Sequence, residues 1–158
     1  MNSKKLKNII QKHNEWLRSG KRSGKKADLS RQDLSSADLA GVDLSEAVLS
    51  SASLCKADLS NAILQSIQAE LPVNFSGAVL KNADLSSTNL QRCNLINVDL
   101  SGADLSNSDL NFAEMDGATL TGAILDGADM RHTIGLNEEQ LESVASMDNA
   151  QHPPRLDK

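Results

Sequence analysis

Ten aspartates stand directly before a large apolar residue, and nine serines directly after one, in a chain of 158 residues. A carboxylate beside a hydroxyl could serve acid–base or nucleophilic chemistry if a histidine joined the pair. The three histidines are His13, His132 and His152, and they fall in an N-terminal helical stretch, at the end of the patterned region and in the tail. No Ser/His/Asp arrangement or metal-ligand spacing gathers them, so neither a catalytic centre nor a metal site is expected. Of the two cysteines, Cys93 falls at an inward position and Cys55 at an outward one. That placement predicts a small core residue and a surface thiol rather than a bridge. The Asp–Ser pairs recur with strict spacing, and that spacing has to be explained before any chemistry is assigned to them.

The spacing is five. From Ala27 the chain reads ADLSR QDLSS ADLAG VDLSE AVLSS ASLCK ADLSN AILQS, and after six residues it resumes at Val73 and runs to His132. The twenty regular units carry Leu at the centre except for Phe75, Met115 and Met130. On an α-helix a five-residue period would rotate successive leucines through about 140°, leaving no apolar stripe. On a single strand an odd period would send alternate leucines to opposite faces. The chain must bend after each unit, so a short extended piece and a turn repeat, with the central residue and the one two before it pointing inward. The column two before the centre is Ala in thirteen units, which suits a tube with room for one large side chain per unit. The fifth column holds Gly41, Gly77, Gly102, Gly117, Gly122 and Gly127, as a sharp turn requires. Leu29, Leu34, Leu39, Leu44, Leu59, Phe75, Leu80, Leu85, Leu100, Leu105, Leu120 and Leu125 are the candidate structural core.

The A-(D/N)-L-x-x unit resembles that of the pentapeptide-repeat proteins, and the resemblance covers Ala27 to His132. It implies an all-β solenoid, a right-handed four-sided β-helix with four units per coil. Twenty units predict about five coils, and a rung spacing of about 4.8 Å gives a rod of some 25 Å. At Ile67 to Pro72 the beat slips by one residue, so stacked neighbours should lie twenty-one rather than twenty positions apart across it, as a bulge or small loop would require. Pro72, which has no N–H, suits the irregularity.

A stacked core needs covered ends. Leu6, Ile9, Ile10, His13 and Leu17 fall at helical spacing with Trp16 adjacent, which predicts an amphipathic cap helix within a basic segment, residues 1–26. The β-helix spans 27–132, and residues 133–158 hold a short cap helix and a tail. There Asn137 with Gln140 forms a capping box and Leu136 with Leu141 a hydrophobic staple, so a helix should start at Glu138. Leu141, Val144 and Ala145 would close the last coil, and Met147 to Lys158 would form a mobile tail. No apolar run approaches membrane-spanning length and no signal-peptide core follows Lys4, Lys5 and Lys7, so a cytoplasmic protein is expected.

Charge is divided along the chain. Residues 1–26 carry +8, residues 27–132 carry −10 and residues 133–158 carry −3. Asp38 should stack on Asp58, Asp84 on Asp104 and Asp109 on Asp129, and with Asp99 these are the candidate acidic interaction surface. The family resemblance supplies one use for it, since some pentapeptide-repeat proteins imitate duplex DNA and occupy the DNA-binding saddle of type II topoisomerases. Lys21, Arg22, Lys25 and Lys26 are the candidate basic surface. Their stretch, Gly20 to Lys26, lacks one residue between its glycines and a Ser or Thr after the Lys, so it is no nucleotide loop. Of the outward apolar residues Val48, Ile63, Val79, Ile96, Phe112 and Ile124, which are scattered, Ile63, Ile124 or Phe112 could gather with a face of the C-terminal helix into a partner surface, or a homodimer surface at the C-terminal end. The expectation is a non-enzymatic scaffold, without cofactor, that binds a protein through its solenoid faces. The alternatives are an acidic DNA mimic that binds a topoisomerase, and an adaptor that docks to membrane or nucleic acid through the basic N-terminus; direct binding of either of those is disfavoured by the missing aromatic interleaving.

Overall fold

The computed structural model describes residues 1–67 and 69–152. Each five-residue unit contributes one extended residue to a parallel bridge and then turns. The turn is closed by the N–H of the next unit on the central carbonyl, as from Gln32 to Leu29 at 3.1 Å and from Ala37 to Leu34 at 3.0 Å. The fifth residue has positive φ in every regular unit but the last, whether it is Gly41 at 66° or Arg31 at 56°. Positive φ at that position is what a type II turn demands, and it makes the corner.

Four corners bring the chain back over itself. The rungs are joined by backbone bonds, such as Leu29 N–H to Val48 O at 2.8 Å and Val48 N–H to Ala27 O at 3.0 Å. Four ladders result. Side 1 carries Asp28, Val48, Asn89, Asp109, Asp129 and Gln151; side 2 carries Asp33, Ser53, Asn74, Asn94, Glu114 and Ile134. Side 3 carries Asp38, Asp58, Val79, Asp99 and Thr119; side 4 carries Asp43, Ile63, Asp84, Asp104, Ile124 and Ser146. Partners lie twenty residues apart except from Ser53 to Asn74, Asp58 to Val79 and Ile63 to Asp84, where the slip adds one, and at the final rungs beyond the repeats.

The interruption takes the place of a whole side. Ile67 is buried, Ala69 packs on the core, and Leu71 O accepts the Ser51 N–H. Gln68, also part of that stretch, lies outside the described residues. Because the chain goes on pairing beyond His132, the side 2 ladder has six rungs, the last at Ile134, rather than the five expected from the regular units.

The core is a column of central side chains. All twelve candidate core residues are buried, from Leu29 to Leu125, with Leu34 the most exposed of them at 3%. Burying each Leu contributes roughly 2 kcal/mol by area, before the entropy of ordering the chain is set against it. Of the two hydroxyls in the small inward column, Thr88 donates to Leu64 O at 3.1 Å, whereas Ser108 Oγ is buried without a hydrogen-bond partner among the described residues.

Helix α1, Ser3–Arg18, covers the first coil. Asn2 caps it by accepting the Lys5 N–H, and Leu6 and His13 are buried while Met1, Ile9 and Ile10 pack on the core. The return segment runs back along the helix, with Lys25 N–H on Lys12 O at 3.0 Å. Gly24 is needed there, because its φ is 78° and a Cβ would collide with the Lys12 carbonyl.

At the other end α2, Glu138–Glu142, starts from a capping box between Asn137 and Gln140. The Gln140 side-chain amide also donates to Ala118 O at 2.7 Å, which satisfies a carbonyl of the last full coil. Two expectations are corrected here. Ala145 is exposed, and Met147 and Ala150 pack on the core beside Leu141 and Val144. Residues Met147 to Gln151, expected from sequence to begin a tail, belong instead to a final rung in which Ser146 pairs with Ile124 and Gln151 with Asp129. Backbone pairing requires no consensus side chain, so the sequence pattern does not announce it. Residues 153–158 of that tail lie outside the described residues.

Candidate interaction surfaces

The outward Asp and Asn side chains have a local task. Each of the ten aspartates of that column accepts, through Oδ1, the N–H of the residue two positions on, as Asp58 does from Ser60 at 2.9 Å and Asp104 from Ser106 at 2.9 Å. Asn74, Asn89 and Asn94 do the same. This is an Asx turn that steers the chain into the corner. The following serine often adds its hydroxyl, as Ser101 does to Asp99 at 2.6 Å. Such bonds favour the charged carboxylate. Ser30, Ser35 and Ser60 hold Asp28, Asp33 and Asp58 below the usual carboxylate range. At Asp99 partial burial pushes the other way, but the bonds from Ser101 and Lys81 prevail. The Arg131 guanidinium holds Asp129 far below that range.

The seven candidate acidic residues are divided among three sides. Asp38, Asp58 and Asp99 lie on side 3, Asp84 and Asp104 on side 4, and Asp109 and Asp129 on side 1. The pairs Asp38–Asp58, Asp84–Asp104 and Asp109–Asp129 are direct bridge partners, as the register predicts. Asp99 is tied to Lys81 at 3.2 Å and Asp129 to Arg131 at 2.8 Å. The structure therefore makes short acidic columns on separate sides rather than one patch.

The basic residues form two groups. Lys21 pairs with Glu46 at 2.7 Å and lies over the Trp16 ring, 5.1 Å from its centre, with Lys26 at 6.0 Å. Arg22 and Lys25 are exposed on the segment that follows α1 and returns to Lys12. Lys4, Lys5 and Lys7 line a shallow hollow with Asn2 and Ile9 at the N-terminal end of the helix. Because the return segment runs back along α1 to Lys12, five residues after Lys7, the two groups come within about 8 Å of each other along the helix axis.

The histidines stay apart. His13 is fully buried on the inner face of α1, its Nδ1 accepting the Ala27 N–H at 3.1 Å and its ring stacked on Trp16 at 5.7 Å. Burial pulls its pKa below the ordinary value, against the Asp43 charge, which favours the proton. Among the described residues no three His, Cys, Asp or Glu side chains are grouped to hold a metal ion. No helix among them is long and apolar enough to cross a membrane.

One corner differs from the rest. Fifth-position residues on three corners are Gly, Asn or Ser, with Lys56 and Glu46 as exceptions, whereas the corner between sides 1 and 2 carries Arg31, Ser51, Arg92, Phe112 and His132. Phe112 stacks on His132 with ring centres 4.9 Å apart, and the Arg92 guanidinium lies 5.8 Å from the Phe112 ring. His132 Nδ1 is held by Asn111 Oδ1 at 2.9 Å. Phe112 is 46% exposed, and Ile134 and Leu71, on either side of this stack, are 51% and 49% exposed. Taken as a whole, the fifth column of the sequence shows only turn composition and hides this corner. Splitting it by register, at twenty and twenty-one residues, isolates it.

Comparison with known proteins gives one consistent description. The family described as pentapeptide repeats matches in eight copies, over residues 25–66, 74–111 and 99–134. No protein of curated function matches by sequence. Among solved structures the chain is similar to Rfr23, a pentapeptide repeat protein of the cyanobacterium Cyanothece 51142, with 33% identity over 70% of this chain and a TM-score of 0.37. The chain spans 64% of the length of that protein. It is similar to a pentapeptide repeat protein of the Arabidopsis thaliana thylakoid lumen, at 25% identity over 73% of this chain and 72% of that one, with a TM-score of 0.33. It is also similar to QnrB1, a plasmid-mediated fluoroquinolone resistance protein, at 18% identity over 80% of this chain and 83% of that one, with a TM-score of 0.43.

Proposed function

We propose, from the premise that this chain belongs to the pentapeptide-repeat family, that it is a non-enzymatic scaffold whose work is to bind another protein along its outer surface. Its solenoid is then a right-handed β-helix, four-sided and covered at its ends by α1 and by the α2 segment. The observation that carries this reading is the use made of the outward carboxylates. They are turned into their own backbone corners by Asx bonds, which leaves flat sides of fixed geometry and, among the described residues, no convergent group of acids, bases and nucleophiles. A rigid repeat surface of this kind suits docking, because little ordering is required when a partner arrives.

The test is in-cell cross-linking of the tagged full chain in its native cell, with and without excess untagged protein. A protein adduct that the untagged chain competes away is the expected result; the absence of any competed adduct overturns the reading. A second reading, an acidic DNA mimic acting on a type II topoisomerase, is supported by the stacked pairs Asp38–Asp58, Asp84–Asp104 and Asp109–Asp129. DNA supercoiling by gyrase in the presence of excess protein decides it, and unchanged supercoiling removes the mimic.

A further inference from the structure

We propose that the corner between sides 1 and 2 is the docking edge, and that it receives a protein segment offering an apolar side chain to Phe112 and a carboxylate to Arg92. This rests on the protein-binding reading above and says where and by what chemistry it is carried out.

Backbone conformation singles out the edge. Arg31, Arg92 and Phe112 hold φ values of 56°, 57° and 60°, in the left-handed region where L side chains are disfavoured and bulky ones most of all. The other corners meet the same demand mostly with Gly, Asn and Ser. Large residues are placed here against the local preference, and the core does not need them as cover, since Leu39, Leu100 and Leu120 are buried at corners that carry only Gly41, Gly102 and Gly122.

Composition and rigidity point to the same place. Three of the four large hydrophobic residues exposed among the described ones, Leu71, Phe112 and Ile134, lie on or beside this edge. The Arg92–Phe112–His132 stack is held by Asn111. Aromatic and arginine anchors, pre-ordered and flanked by aliphatic groups, are the features that dominate protein interfaces.

Charge selects the occupant. All three arginines of the repeats, Arg31, Arg92 and Arg131, lie along this corner of a region that carries −10 overall. Arg131 is matched by Asp129, whereas among the described residues Arg92 faces the Phe112 ring and no carboxylate. A single carboxylate beside an apolar group would meet Arg92 and Phe112 together. A nucleic-acid strand, charged at every nucleotide, would also meet Asp109, Asp129 and Glu114 on the flanking sides. A second copy docked edge to edge would bring arginine columns against each other.

The experiment pans a phage-displayed library of random peptides, each about a dozen residues long, on the immobilised full chain. The recovered peptides are then measured against Phe112→Asn, Arg92→Asn and, as a control on side 4, Ile63→Asn. Asn is the residue that other corners and the outward column already use, so these variants keep the fold, which thermal melting verifies. The expected result is peptides with Asp or Glu next to an aromatic or aliphatic residue, whose affinity falls at least tenfold with either edge variant and is unchanged by Ile63→Asn. Peptides that bind all variants alike, or no recovered peptide, overturn the edge and leave the broader reading to its cross-linking test. A fluorescent oligo-dT probe that binds in an edge-dependent way overturns it in favour of single-stranded nucleic acid. A dimer in sedimentation that Phe112→Asn abolishes overturns it in favour of self-association.

Discussion

Asp104 separates the structural use of a carboxylate from its charge. Its Oδ1 accepts the Ser106 N–H at 2.9 Å, and Asp84 lies one rung away on the same ladder. Two unit charges about 5 Å apart repel by roughly 0.8 kcal/mol in water. The charge-assisted bond to Ser106 opposes that, contributing about 1.5 kcal/mol, and a neutral acceptor would contribute about 1. Asp104→Asn removes the repulsion and keeps an acceptor, so at low salt it should lie within about 0.5 kcal/mol of the native chain, on the stable side. Asp104→Ala loses the acceptor as well and should lie roughly 1 kcal/mol below the Asn variant. Salt at 1 M shortens the screening length to about 3 Å and removes the repulsion from the native chain, so the Asn variant should then fall below it. Urea unfolding at both salt concentrations measures this. If Asn proves as damaging as Ala at both, the carboxylate is not acting as a turn acceptor, and the account of the Asp column fails.

Other expectations follow from single contacts. Gly122 has φ 70° and open space where a methyl would stand, and at Gly127, φ 68°, the close atom is the movable end of the Asn107 side chain; chemical denaturation should show Gly122→Ala and Gly127→Ala each costing about 1 kcal/mol, set by the positive φ. Burial lowers the His13 pKa from 6.5, so the unfolded chain takes up the proton first. Stability should be complete above pH 6.5 and fall as the pH drops below it, in unfolding curves that His13→Gln flattens. Burial pushes the Cys93 thiol up to about 11 while Cys55 is half-exposed; a thiol reagent should therefore modify one cysteine in the folded chain and two in urea, and equal rates in the folded state would contradict the inward placement.

Most of the fold is legible in the sequence because five-residue spacing leaves few ways to bury a leucine column. Leu29 through Leu125 point inward as their columns require, the register shift across Ile67 to Pro72 is twenty-one, and the box at Asn137 and Gln140 starts α2. Pairing that depends on backbone alone is not legible. Ser146 and Gln151 extend two ladders without any consensus leucine, and the six-residue interruption fills a side that the regular units do not count. The surfaces are less legible for a different reason: an acidic column in sequence is distributed over separate sides by the four-unit circuit. Asp99 and Asp104 are five residues apart and lie on different sides. The same arithmetic gathers Arg92, Phe112 and His132, twenty residues apart, into one stack.

The most direct measurement places a photo-cross-linking amino acid at position 112, at position 63 on side 4 and at position 119 on side 3, in separate full-length chains irradiated in the native cell. A docking edge at Phe112 requires a protein adduct from position 112 and none from positions 63 or 119. Adducts from 63 or 119 alone would contradict the edge, and no protein adduct from any of the three would contradict the claim that this solenoid works by binding a protein along its surface.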